Sequence, residues 1–187
     1  MKQILLLPTM VLLMLCSCAG VKPPQTHYYL LSPPPDNSAE FATTPIPLQV
    51  ELAQFLTRGT LVLQLDEQQI RRSHYHRWGA PLPGLIERYI QRRLQQQLTD
   101  ELGSAPILTL IIDRFHGSQH GQVWLSGQWW INSDTARPHS FNYQTTQHQP
   151  GYKGLVITLQ QLLNSASKEI VTQLQTKPIT TATNGKS

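Results

Sequence analysis

The first twenty residues constrain this chain most, because they decide which cysteines remain in the folded protein. Lys2 provides a basic start, and a largely apolar run, ILLLPTMVLLML, follows it. A membrane-spanning helix needs about 20 such residues, so this shorter run is typical of the core of a cleaved signal peptide. The only two cysteines of the chain, Cys16 and Cys18, come directly after it.

The residues before Cys18 favour lipidation at that cysteine. A lipoprotein signal peptidase requires small residues ahead of the cysteine that it leaves at the mature N-terminus. Leu15, Cys16 and Ser17 precede Cys18 and form a lipobox, whereas Leu15 directly before Cys16 is too large. We therefore expect cleavage between Ser17 and Cys18, followed by attachment of diacylglycerol and an N-acyl chain to Cys18. A plain cleaved signal peptide that leaves a free cysteine is the alternative.

Two consequences follow for the mature chain. Cys16 leaves with the leader, so no intramolecular disulfide is expected and the hydrophobic core must supply the stability. Ala19 follows the lipidated cysteine, where lipoproteins retained in the inner membrane usually carry Asp, and this predicts the periplasmic face of the outer membrane. Each buried acyl CH₂ contributes about 0.8 kcal/mol, so three chains would hold the protein essentially permanently.

The chain divides into four segments by composition. Residues 1–17 are the expected signal peptide, and residues 18–46 form a proline-rich tether that contains one short strand, HYYLL. Residues 47–176 are predicted to form a single domain. The polar residues 177–187 read as a disordered tail.

Hydrophobic periodicity predicts an α+β fold, in which a largely antiparallel (mixed) sheet packs against two amphipathic helices. After the short strand of the tether, six further segments have the pattern of strands; they lie at 48–55, 61–65, 69–78, 107–115, 122–131 and 140–147. Segment 107–115 is nearly all apolar, as expected of a central strand, and Asp113 near its end is expected to begin the turn. Apolar residues at spacings of three and four predict helices; the first stripe runs from Leu82 to Leu102 and the second from Leu155 to Leu174.

Composition argues against nucleic-acid binding and against catalysis. The formal charge is +4, from 15 Lys and Arg against 11 acids, and the loss of Lys2 leaves 14 against 11, or +3. A nucleic-acid-binding protein usually concentrates many more cations on one face. Ser126 lacks the leading glycine of a nucleophile elbow, and the adjacent Asp66 and Glu67 would point to opposite faces of a strand. We expect neither an enzyme nor a cofactor.

The histidines raise the question of a metal site. His74 and His76 are two residues apart on a predicted strand, so they would share one face. A third ligand would have to come from Asp66 or Glu67 across the predicted hairpin, and nothing matches the spacing of dependable zinc sites. Solvated strand histidines are the simpler interpretation, and no metal is expected.

Four residues are candidates for contact with a partner. If Trp129 faces the core, Trp124 and Trp130 point to the other side of the sheet, where exposed indoles often mark a contact surface. The alternative is that the second helix covers that side. Arg88 and Arg92, on the first predicted helix, could bind phosphates, although arginines on a helix are more often simply solvated.

The order of these elements resembles the PqiC/YmbA family of ABC-type transport auxiliary lipoproteins, over about residues 18 to 175. The resemblance depends on a lipobox followed by HYYLL, on the junction HRWGAPLPGLIERYIQRRL with Trp78, Pro81 and Leu82, and on the hairpin FHGSQHGQVWLSGQWWI before a final helix. In that junction the prolines stop the strand and preset the first helical turn. Gly79 and Ala80 depart from the residues commoner in the family.

The resemblance implies a non-catalytic lipoprotein of the outer membrane. Its implied partner is an inner-membrane-anchored MCE-domain protein, in a system that moves phospholipids or other apolar molecules between the membranes and supports envelope integrity. A homo-oligomer around the conduit is also plausible. Two alternatives stay open, namely a lipoprotein that itself carries an apolar ligand and a structural accessory of another envelope assembly.

Overall fold

The computed structural model describes residues 23–32, 46–98, 107–132 and 138–176. The predicted signal peptide, the cleavage site at Ser17 and Cys18, the helix position Leu102 and the tail 177–187 lie outside these residues. The described elements are, in chain order, β1 (His27–Tyr29), β2 (Leu48–Leu52), a 3₁₀ turn (Gln54–Leu56), β3 (Thr60–Gln64), β4 (Ile70–Trp78), α1 (Leu82–Gln97), β5 (Leu108–Ser118), β6 (Gln122–Ile131), β7 (His139–Thr146) and α2 (Gly151–Thr176).

The strands form one mixed sheet of seven strands, and the prediction of an α+β fold is confirmed. The order across the sheet is β1-β4-β3-β5-β6-β7, and β2 pairs with the first half of β5 while β3 pairs with its end. Pairings β3–β4, β5–β6 and β6–β7 are antiparallel, whereas β1–β4, β2–β5 and β3–β5 are parallel. The 3₁₀ turn between β2 and β3 therefore lets two short strands lie one after the other along β5.

The central strand β5 is longer than its sequence predicts. The expectation that Asp113 begins a turn is wrong, because β5 continues to Ser118. The register against β6 shifts between Ile112 and Arg114, so the exposed Asp113 is an extra residue that bulges outward. This bulge accommodates a polar residue without ending the strand.

Both helices pack on one face of the sheet. Val123, Leu125 and Trp129 of β6 are buried there, in a core that includes the apolar stripes of α1 and α2. A Cβ added to Gly117 would lie only 2.7 Å from Leu155 of α2, which shows how closely that helix approaches β5. Leu31 and Ile46, at the two ends of the undescribed segment 33–45, are also buried in this core.

Candidate functional site

Neither α1 nor α2 packs on the other side of the sheet, where Phe55 of the 3₁₀ turn lies against His116. Trp124 and Trp130 alternate with the buried residues of β6, so they point away from α1 and α2 and remain half-buried. We call the outward side chains of β5, β6 and β7 around these two indoles the uncovered face. The second helix packs on the Trp129 side, so it does not cover Trp124 or Trp130.

Trp124 is held in place by two neighbours from β5. The guanidinium carbon of Arg114 lies 4.4 Å from the centroid of the Trp124 ring, a cation–π distance. His116 is the residue of β5 that pairs with Trp124, and the centroids of the two rings are 5.3 Å apart. Phe55 of the 3₁₀ turn makes an edge contact with His116, with ring centroids 5.7 Å apart. Trp124 is therefore a preorganised, half-buried aromatic side chain on the uncovered face.

Burial affects the pKa of both titratable neighbours of Trp124, His116 and Arg114. His116 is only 4% exposed, and burial lowers its pKa, with the Arg114 charge acting in the same direction. Its Nδ1–H donates to the Gly117 carbonyl at 3.1 Å, which opposes but does not reverse the effect on the pKa. Arg114 is thus the charged member of the trio, and its pKa is lowered by burial.

The rest of the uncovered face is polar and mostly uncharged. Trp130 is six positions after Trp124, a distance of about 20 Å along a strand, and Ser126 and Gln128 lie between them on this face. The outward residues of β7 are all neutral and small or medium in size; they are Ser140, Asn142, Gln144 and Thr146. A sheet face with two aromatic anchors and one arginine has the composition of a protein contact, where Trp and Arg contribute most of the binding energy.

The two candidate arginines of α1 lie on the opposite side of the domain. Arg88 and Arg92 are exposed and line a cleft of about 290 Å³ together with Leu31 and Tyr89. The structure therefore does not bring the four partner candidates together. The two tryptophans are on the uncovered face, and the two arginines are on the helical layer.

The two histidines of the HYH stretch are in different environments. Four residues of β4 between Arg72 and Arg77 bulge opposite β3, and His74 is exposed within this bulge. His76 instead stacks on Tyr152 of α2 at 4.0 Å, and its Nδ1 is 2.8 Å from the Tyr29 hydroxyl. Burial and the nearby His27 lower the pKa of His76. Across the described ranges, no cluster of three potential ligands could hold a metal ion.

The junction that follows β4 consists of packed residues. Trp78 is buried and its ring lies 5.9 Å from that of Phe115. Pro81 is the N-cap of α1, with Pro83 in the first turn and Leu82 buried beneath it. Pro81 has an extended conformation, and the helix begins at the next residue. Prolines are tolerated here because the N–H groups at the start of a helix have no hydrogen-bond partner within it.

Several contacts of the structure join residues far apart in the chain and carry no signal in the sequence. The Tyr143 hydroxyl donates to Glu169 of α2, and the Arg114–Trp124 contact depends on strand register.

A cleft of about 170 Å³ lies beside the start of α2, between Arg71, Gln119, Gln147 and Tyr152. No helix within the described ranges is long and apolar enough to cross a membrane.

Comparison with solved structures places this fold in a known class. The chain is similar to the crystal structure of an uncharacterized protein, with a TM-score of 0.68 and 23% identity over 81% of this chain and 99% of the other. A crystal structure of a protein from Xanthomonas campestris has a TM-score of 0.61 and 14% identity, over 80% and 96%. Both likenesses concern the fold alone.

The family is shown by sequence. Residues 28–171 match the sequence model of the ABC-type transport auxiliary lipoprotein component, and the chain belongs to this family. It is 25% identical, over 140 residues, to the intermembrane transport lipoprotein PqiC of Escherichia coli K12 and to that of Shigella flexneri; the match covers 70% of this chain and 74% of each relative. The resemblance found in the sequence is thus confirmed, and the chain has a transport-auxiliary role.

Proposed function

We propose that the mature protein is an outer-membrane lipoprotein that docks a partner of its transport system without catalysing a reaction. In this proposal acyl chains on Cys18 hold it at the periplasmic face. The docked protein is an MCE-domain protein anchored in the inner membrane, and the system moves phospholipid or another apolar molecule between the two membranes. The name of the PqiC relatives, intermembrane transport lipoprotein, supports this setting.

One observation carries the docking role, namely the uncovered face with its preorganised Trp124. Aromatic side chains that are already fixed lose little entropy on binding, and an adjacent arginine adds a directional polar contact. Trp124 meets both conditions because Arg114 and His116 hold its ring. Binding through this face leaves the helical layer and its core undisturbed.

The size of the two clefts in the described part of the chain favours docking over carriage. Ligand sites for drug-sized molecules have volumes of about 300 to 1,000 Å³, and a phospholipid with two acyl chains is larger than such molecules. The two clefts described above are about 170 and 290 Å³, and both are lined in large part by polar side chains. Between the sheet and the helices, apolar side chains from both layers form one buried core.

Affinity purification of the lipidated chain from its own envelope tests the proposal. We expect the wild type to retain the MCE-domain partner, and Trp124→Ala with Trp130→Ala to lose it, since a hot-spot tryptophan contributes about 2 kcal/mol or more. Ile157→Ala with Gln173→Ala is the matched control, because both residues are exposed on the helical layer. Unchanged retention of the partner by the tryptophan variant would exclude this face.

Two further measurements separate the alternatives. Native mass spectrometry of the purified protein should show no bound phospholipid, whereas stoichiometric phospholipid would favour a carrier. The same spectra report the number of copies in any homo-oligomer. Intact mass should show the acyl chains on Cys18, and fractionation should place the protein in the outer membrane.

A further inference from the structure

The edge of the sheet formed by β1 and β4 exposes an unusual combination of side chains. Tyr28 is 67% exposed, Leu30 58% and Tyr75 45%, three of the largest exposures among apolar and aromatic residues in the described chain. Arg72 and Arg77 are also exposed here. We call these five residues the strand-edge patch.

The strand register places the patch residues beside one another. Tyr28 pairs with Arg77 across the parallel β1–β4 ladder, and Leu30 lies against Gly79, where an added Cβ would be 3.0 Å from the Leu30 side chain. Tyr75 is two residues before Arg77 on the same strand. β1 has no partner on its outer side among the described strands, so the patch is the free edge of the sheet.

The arginines of the patch are not neutralised by the described part of the chain. Arg72 and Arg77 form no ion pair with any described carboxylate. Tyrosine rings combine an apolar body with a polar tip, and they are enriched where a protein meets the headgroup region of a bilayer. Tyrosine and leucine interleaved with arginine fit an anionic phospholipid surface better than they fit bulk water.

The distance to the lipid anchor points to the same surface. His27 is nine positions after Cys18, and a fully extended chain of this length reaches about 30 Å. A folded unit of this size is about 36 Å across, as its expected radius of gyration implies. Segment 18–27 is therefore shorter than the domain is wide, so β1 cannot lie at the end of the domain farthest from the membrane.

We infer that the strand-edge patch rests on the anionic headgroups of the membrane that holds the anchor. This inference depends on the proposed acylation of Cys18. Contact through an edge leaves the uncovered face free, because β6 lies four strand spacings from β1, about 19 Å across the sheet. The lipoprotein would thus touch the membrane at its β1–β4 edge, with Trp124 and Trp130 farther along the sheet and free for the partner.

A single fluorescent label on the mature lipidated protein in vesicles tests the contact. Acylation blocks the thiol of Cys18 and Cys16 leaves with the leader, so an introduced cysteine is the only free thiol. His74→Cys places a bimane label beside the patch, and Asn142→Cys places it on β7; both positions are exposed. The vesicles contain phosphatidylethanolamine and phosphatidylglycerol, with a lipid that carries a nitroxide quencher near its headgroup.

We expect the label at position 74 to be quenched and the label at 142 to remain bright. In the background Arg72→Gln with Arg77→Gln, the ratio of contacting to free protein should fall about fivefold per arginine removed. Phosphatidylcholine vesicles and high salt should have the same effect. Tyr28→Ser with Tyr75→Ser should also reduce quenching while leaving the fold intact, because both side chains are exposed.

Other results overturn the inference. Equal quenching at both positions excludes a specific edge contact. Quenching at 74 that is unchanged in the background Arg72→Gln with Arg77→Gln excludes it as well. A label at 74 that becomes shielded only with rising protein density assigns the edge to a second copy of the chain instead. An intact mass that shows no acyl chains would contradict the lipid anchor and therefore the proposed function as well. An acylated protein with a bright label at 74 would contradict the edge contact alone.

Discussion

Arg114 and Trp124 lie on neighbouring strands with the guanidinium carbon 4.4 Å from the ring centroid. The arginine also donates from Nη2 to Gln64 at 3.5 Å, and so it links β3, β5 and β6 on the uncovered face. The contact stabilises the fold and fixes the orientation of the indole that the proposed partner would meet. Both effects can be measured.

Replacing Arg114 with Gln should lower the free energy of unfolding by about 0.5 to 1 kcal/mol, the contribution of a cation–π contact at a partly exposed site. Partner affinity should fall as well, because Trp124 loses its fixed orientation. Denaturant unfolding and a binding titration measure the two effects. Arg114→Lys keeps the charge, so it should retain more of the stability and more of the partner affinity than Arg114→Gln does. Wild-type affinity in Arg114→Gln would show that Trp124 needs no positioning.

Gly127 and Gly84 form a matched pair for backbone packing. A Cβ on Gly127 would lie 2.0 Å from the Ile111 carbonyl oxygen, at the bulge of β5, whereas a Cβ on Gly84 in α1 would meet nothing within 4 Å. Gly127→Ala should therefore destabilise the protein by about 1 to 3 kcal/mol or more, as overpacking does. Gly84→Ala should stabilise it by up to about 1 kcal/mol through helix propensity. Thermal unfolding of both variants measures these effects. Equal melting temperatures for Gly127→Ala and Gly84→Ala would argue against the bulge.

Trp78 and His74 test whether the HYHRW stretch is structural. Trp78→Ala should cost about 3 to 5 kcal/mol because it empties a buried site against Phe115. His74→Ala should change neither stability nor partner retention, since His74 is exposed. Urea unfolding of both variants provides the comparison, and a large loss of stability in His74→Ala would reopen a functional role for that histidine.

The Tyr143–Glu169 contact predicts a decline in stability at alkaline pH. Burial raises the pKa of Tyr143, and the hydrogen bond to Glu169 raises it further. The unfolded chain therefore loses the phenolic proton near pH 10, before the folded protein does, so stability is complete below that pH and falls above it. Burial raises the pKa of Tyr29 and acts in the same direction.

Tyr143→Phe should cost about 1 kcal/mol at neutral pH through the lost hydrogen bond. Its stability should then decline less steeply above pH 10 than that of the wild type. Tyr75→Phe is the control, because Tyr75 is exposed and its side chain is not part of the buried core. Parallel profiles for wild type and Tyr143→Phe would contradict the assigned coupling.

The periodicity of the sequence is sufficient to locate the described strands and the two α-helices, because each element buries one face. Alternation in QVWLSGQWWI correctly assigns Trp129 to one side and Trp124 to the other. The stripe that begins at Leu82 predicts α1 to within its first turn, since the flanking prolines mark the start. These signals are local and depend only on neighbouring residues.

Pairing and register could not be predicted in the same way. Nothing in the segments 48–52 and 60–64 indicates that both lie parallel to β5, because that arrangement depends on the 3₁₀ turn and on long-range packing. The sequence around Asp113 predicts a turn where the structure has a bulge, because a polar residue after an apolar run suits either. Contacts such as Arg114–Trp124 and Tyr143–Glu169 depend on this register, so the site emerges only from the folded chain.

Photo-cross-linking from the uncovered face tests the central proposal most directly. A photoreactive amino acid at Gln128, exposed between Trp124 and Trp130, should form an adduct with the MCE-domain partner in intact cells. The same amino acid at Gln173, exposed on α2, should not. Adducts with that partner from position 173 but not from 128, or from neither, would contradict docking through the face that carries the two tryptophans.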